Sequence, residues 1–207
     1  MTIRLKGGPE LLRLLDELPK NLERNVIRGG LGLDTVNIAG SGADFVVVGH
    51  EGPTNFDTIN GFNIATDWIR LDLDDMGNDA VDGNGNLLTP DGNPLLETIS
   101  GATVIDGNSQ IFILDGTFAT LGAVENAIGF TGDHAIFAAF GGGTPDTGDQ
   151  LIVGWTDTGG NFHVSAAEIT NETVVAPFIE GYNFQLNEMA VVTGVPALGP
   201  LEFQLVA

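Results

Sequence analysis

The chain of 207 residues carries 28 acids against 7 bases, a net charge of −21, and contains no cysteine. Disulfides are excluded, no run of 18 apolar residues offers a membrane-spanning helix, and the acidic balance repels nucleic acid phosphates and anionic lipid. Thirty glycines, about twice the usual ~7%, favour turns and repeats over helices, while an apolar content of 43% suffices for a real core.

The charge is divided unevenly. Residues 1–28 hold six of the seven bases (Arg4, Lys6, Arg13, Lys20, Arg24 and Arg28) against four acids, a local balance of +2. From residue 29 onward there is one base, Arg70, against 24 acids, a balance of −23. That step in charge sets a boundary between residues 28 and 29. In residues 9–28, Leu11, Leu12, Leu15, Leu18, Leu22 and Val26 recur at helical spacing, and Pro9 and Pro19 suit first-turn positions. Two short helices are expected there, either capping the end of a β domain or docking it to something else. The opening is charged throughout and lacks the apolar core of a Sec signal, so export through that route is not expected. MTIRLKG with ELLRLL and ELPK resembles the start of small tail-completion proteins of tailed phages, which implies a virion structural role as an alternative reading.

Residues 29–73 come next, and they organise the rest. Gly29, Gly30, Gly32, Asp34 and Val36 fit the nine-residue pattern G-G-x-G-x-D-x-U-x, where U is a large apolar residue. A second copy follows with Ala39 in the first glycine position, then Gly40, Gly42, Asp44 and Val46. Glycines admit the left-handed backbone of a tight turn, so carbonyl oxygens can converge. The aspartate adds charge, and calcium takes six to eight oxygens. Plain β-turns are the competing explanation, because Gly and Asp are common turn residues. GGLGLD and AGSGAD, followed by Asp57-Thr-Ile-Asn-Gly-Phe and Asp67-Trp-Ile-Arg-Leu, resemble the RTX, or hemolysin-type, calcium-binding repeat family. The resemblance implies a parallel β-roll, Ca2+ in its turns, and export by a type I exporter that reads an uncleaved C-terminal signal. It also implies that successive turns lie on opposite sides, so that Asp34 shares its ion with the loop from Gly49 to Asp57 and not with Asp44. The metal candidates are Gly30, Gly32, Asp34, Gly40, Gly42, Asp44 and Asp57.

Residues 74–94 form an acidic polar loop. Asp82-Gly-Asn84-Gly-Asn86 hints at an EF-type site, but the closing Glu is missing, and a solvated insertion is expected. In residues 95–207 a β-rich meander or sandwich is expected. Its strands are placed at 103–105, 110–114, 134–140, 151–155 and 161–164, with one helix between Phe118 and Ile128 and a hairpin at Asp157-Thr-Gly-Gly. The terminus, LEFQLVA, reads as a last strand and, through the resemblance, as part of the export signal.

No H-E-x-x-H, P-loop or G-x-S-x-G motif is present, and His50, His134 and His163 are scattered. The 28 residues ahead of the repeats are too few for the catalytic domain that many repeat proteins of this kind carry. The expected fold is mainly β, a short parallel β-roll continuing into a meander or sandwich, with a small N-terminal helical segment. The expected function is a non-enzymatic, calcium-binding, secreted or cell-surface protein. Its partners would be calcium ions and an exporter, cell-surface or virion protein, with no nucleic acid and no membrane insertion.

Overall fold

Alternation of apolar and polar residues governs most of the chain, and strands dominate the architecture it builds. The computed structural model describes residues 2–4, 11–12, 24–30, 32–38, 42–50, 55–77, 79–139, 143–199 and 202–207.

The first half winds between two sheets. β1 (Thr2–Arg4) lies in the first sheet, β2 (Leu11–Leu12) in the second, β3 (Arg24–Arg28) in the first and β4 (Thr35–Asn37) in the second. β5 (Ala43–Val48), β6 (Asp57–Asn60) and β7 (Trp68–Asp72) continue the alternation. Every pairing among these strands is parallel, with Val26, Phe45 and Trp68 in one row and Thr35 and Thr58 in another. Inward-facing residues two apart fill the gap between the sheets: Ile27, Val46, Val48, Ile69 and Leu71 from one side, Val36 and Ile59 from the other, all buried.

Two short helices were expected across residues 9–28. Leu11–Leu12 and Arg24–Arg28 are instead strands, and the rest of that segment lies outside the described residues. The leucine spacing suits a helix, but at 24–28 period-two burial wins. Asn25 and Ile27 point inward, Val26 and Arg28 are half-buried, and parallel pairing with β5 supplies the backbone hydrogen bonds.

The second half extends the second sheet. β8 (Leu96–Ile99), β9 (Thr103–Val104), β10 (Ile111–Phe118), α1 (Leu121–Ile128), β11 (Ile136–Ala139), β12 (Gln150–Asp157), β13 (Phe162–Ala176), β14 (Ile179–Val192) and β15 (Phe203–Val206) follow in order. Thr120 caps α1 by accepting a hydrogen bond from the Ala123 N–H at 3.2 Å. A simple meander is not what forms, because β8, β10 and β12 are parallel neighbours. Parallel strands need long crossovers, and α1 with β11 provides the one between β10 and β12. Among the described residues, only β12, β13 and β14 run antiparallel in succession, and the expected hairpin at Asp157–Gly160 joins the first two. Asp157 closes that turn by accepting from the Asn161 N–H at 2.8 Å and the Asn161 amide at 2.9 Å.

β14 unites the halves, since Ala190–Val192 pair in parallel with Asp57–Ile59 of β6. One face of the second sheet packs against the first sheet. The other packs under α1, where Val124 and Ile128 meet Leu151, Val153, Trp155 and Leu186. β15 returns to the first sheet beside β7, so the expected last strand is present. The acidic loop is more firmly tied than a solvated insertion. Met76, Ala80 and Val81 are buried, Val81 bridges Leu87, and Asp82 accepts from the Asn84 and Asn86 N–H groups at 2.9 Å each.

Candidate cation site

Four acids of the first half stand at the start of a strand, and two residues after each an apolar side chain enters the core. Asp34 precedes Val36, Asp44 precedes Val46, Asp57 precedes Ile59 and Asp67 precedes Ile69, and all four apolar residues are 0% exposed. Asn25 and Ile27 repeat the arrangement with an amide in place of the acid. Because the strands alternate between sheets, these positions fall into two separate groups.

The first group joins Asp34 and Asp57, which lie at neighbouring parallel strand starts; the Thr58 N–H donates to the Asp34 carbonyl at 2.8 Å. Both side chains are buried, at 2% and 5% exposure. They close on Gly29. A methyl group placed on Gly29 would stand 2.6 and 2.9 Å from the two Asp57 carboxylate oxygens and 3.0 Å from Asp34 Oδ2. A side chain there would push the Asp57 carboxylate aside and crowd Asp34. Gly30 and Gly32 hold φ of 96° and 119°, left-handed backbone that L side chains rarely adopt. Two buried carboxylates meeting beside a glycine turn are donors of the kind a hard dication takes.

The second group contains Asn25, Asp44 and Asp67, all buried. The Asn25 amide donates to Asp44 Oδ1 at 2.6 Å, and the Asp44 N–H donates to Asp67 Oδ1 at 3.1 Å. Asp67 also accepts from the Asn63 N–H at 2.8 Å and the Thr66 hydroxyl at 3.1 Å. Burial pushes the Asp67 carboxyl up and the Asp44 charge adds to the rise, outweighing the hydrogen bonds that pull it down. This group closes largely on itself. A cleft of about 570 Å³, lined in part by Thr66, Asp67, Trp68, Asn93, Glu202 and Gln204, opens beside it.

Asp34 and Asp57 therefore meet, while Asp44 lies in the other group. Gly42 leads into β5 ahead of Asp44, and Gly40 lies outside the described residues. Among the described residues, no group of three or more His, Asp or Glu side chains converges in a metal-ligating arrangement. Asn25 and Asp67, which join Asp44 in the second group, were not among the candidates read from the sequence. The signal that could have found them is the Asp/Asn-x-Val/Ile triplet at 25, 34, 44, 57 and 67, which persists after the glycines are lost.

His163 is engaged elsewhere. Its ring stacks on Trp155 with centroids 3.9 Å apart, Nδ1 meets Glu188 Oε1, and Nε2 lies 3.2 Å from Asp157 Oδ2. A carboxylate therefore stands at each ring nitrogen. Burial disfavours the charged ring, but Glu188 and Asp157 overcome it and raise the His163 pKa. Burial likewise opposes ionisation of Asp157, yet hydrogen bonds from Asn161 and His163 lower its pKa to about 2.

The pH dependence follows in sign. The His163 contribution is complete below its unfolded value of 6.5 and is lost as pH rises through its raised folded value. The Asp157 contribution is complete above 3.8 and is lost as pH falls through about 2. In saturating calcium, wild type is expected to melt lower at pH 9 than at pH 6. His163→Gln should shrink that difference, and an undiminished difference would place the titration elsewhere.

Compared with models of known protein families, with characterised proteins and with solved structures, the chain shows no match.

Proposed function

We propose that this chain is a non-enzymatic, calcium-stabilised protein of the hemolysin-type repeat class, exported or held at a cell surface, with a short parallel β-roll at residues 29–73. The observation that carries the reading is the meeting of Asp34 and Asp57 beside Gly29. Those two residues bind the principal ion, with carbonyls of the Gly30 and Gly32 turn as further ligands. Asp44 and Asp67 form a secondary site, in which the Asn25 amide already offsets part of the charge.

The mechanism is folding coupled to a cation. Where calcium is scarce, 24 acids against a single base from residue 29 onward repel one another and the acidic turns stay open. Where calcium is abundant, the ion neutralises the turn, the strands that follow it pair, and the binding free energy becomes folding free energy.

Calorimetric titration with CaCl2 tests the assignment. Wild type is expected to bind saturably. Asp34→Asn, Asp57→Asn and Gly29→Ala should each weaken binding by about tenfold or more, a loss that even an outer-shell change produces at metal sites. Asp82→Asn, in the tied acidic loop, should leave the isotherm unchanged. Identical isotherms for wild type and Asp34→Asn would refute the site.

A further inference from the structure

β13 and β14 are the longest strands, and their shared tip is unlike the rest of the surface. Residues 173–179, Thr-Val-Val-Ala-Pro-Phe-Ile, carry no charge in a chain of net charge −21. Val174 is 65% exposed, Val175 41% and Phe178 75%. The two-residue turn places Pro177 first and Phe178 second, with Phe178 at φ 71°. Glycine or asparagine usually occupies that second place, because a side chain there is strained. Phe178 thus bears two costs at once, a left-handed backbone and an aromatic ring in water. Strain kept at an exposed position points to a role outside the fold.

The tip also offers backbone. β12 pairs with β13 only from Phe162 to Glu168, so among the described residues Thr173–Ala176 pair with β14 alone and leave one edge open. An open apolar edge is a template for another strand. Below the tip stands a collar of acids. Glu172 accepts from the Thr147 hydroxyl at 2.6 Å, which brings it to the loop that carries Asp146 and Asp149. Burial, and after it the charges of Asp146, Asp79 and Glu172, push the Asp149 carboxyl up, so these acids share one region. No Lys or Arg occurs between residues 71 and 207 to neutralise them.

We infer that the β13–β14 tip is a docking element for a protein partner with an apolar pocket or strand edge rimmed by Lys and Arg. Phe178 fills the pocket, the 173–176 edge extends the partner's sheet, and the collar of Asp146, Asp149 and Glu172 pairs with the basic rim. A second copy of this hairpin brings the same negative collar and is repelled, as is an anionic bilayer. This inference does not depend on calcium binding at Asp34 and Asp57.

The probe is a nine-residue peptide of alternating Leu and Lys, titrated by fluorescence anisotropy into the full chain in saturating calcium. Saturable binding is expected, weakened about tenfold or more by Phe178→Gly, as for an interface anchor, and severalfold by Asp146→Asn. A Leu/Glu peptide should not bind. Phe178→Gly should also raise the melting temperature by about 2–4 °C through relief of the turn strain, which shows that the variant is folded. Equal affinity of wild type and Phe178→Gly for the Leu/Lys peptide would overturn the proposal. So would Phe178-dependent binding to phosphatidylcholine vesicles, or sedimentation showing self-association that Phe178→Gly abolishes.

Discussion

Chelating calcium is expected to lower the melting temperature of the wild-type chain by about 5–10 °C for the ion held at Asp34 and Asp57. A ligand that binds only the folded state at a hundred times its dissociation constant stabilises by about 2.7 kcal/mol. In a chain of this length each kcal/mol shifts the midpoint by about 2–4 °C. The double variant Asp34→Ala, Asp57→Ala should lose most of the shift, because turn carbonyls without a carboxylate hold calcium poorly. Asp44→Ala should lose less, since the Asn25 amide and the backbone already engage its group. The measurement is a pair of thermal scans, in calcium and in chelator, with magnesium as a control for ionic strength. Superposed scans for wild type would mean that no calcium ion contributes to the fold.

Phe203→Ala is expected to cost about 3–5 kcal/mol, a drop of about 6–20 °C in melting temperature. Phe203 is fully buried, lies opposite Ile69 in the parallel register of β15 on β7, and meets the Phe162 ring with centroids 6.3 Å apart. It therefore ties the C-terminal strand of the first sheet to the hairpin of the second. Truncation leaves a cavity that neither sheet can close without shifting its partner. Gln204→Ala, one residue on, removes only an outward hydrogen bond from Arg70 Nε at 2.9 Å and should cost about 1 kcal/mol. Urea denaturation of both variants gives the comparison. A loss below 1 kcal/mol for Phe203→Ala would mean that β15 is not part of the cooperative unit.

How well the sequence could be read depended on the distance over which its signals act. The strands near 103–105, 110–114, 151–155 and 161–164 and the helix ending at Ile128 were legible, because apolar period and turn residues are local. The Asp-x-Val/Ile triplets at 34 and 44 were legible for the same reason. The helical reading of Arg24–Arg28 failed because leucine spacing was judged without the neighbouring strand β5, whose pairing outweighs helix propensity. The long β13–β14 hairpin beyond Ile169 went unassigned, since Asn171, Glu172 and Pro177 weaken the alternation there.

The amino-acid sequence by itself determined that the chain is acidic, free of disulfides and built mainly of strands, and that its Gly-Asp turns lead apolar residues inward. Those properties follow from each residue and its near neighbours. Tertiary structure decided which acids meet, a pairing that the residues by themselves left open and only the resemblance implied. Asp34 and Asp57 are 23 residues apart, and they converge on Gly29 because the strands between them cross to the other sheet and back. It alone decided that β14 joins the two halves through β6, and that Phe178 stands in water at a strained turn. The physical reason is that strand pairing is non-local: its hydrogen bonds can be made with many partners, and only the packing of both faces of a sheet selects one.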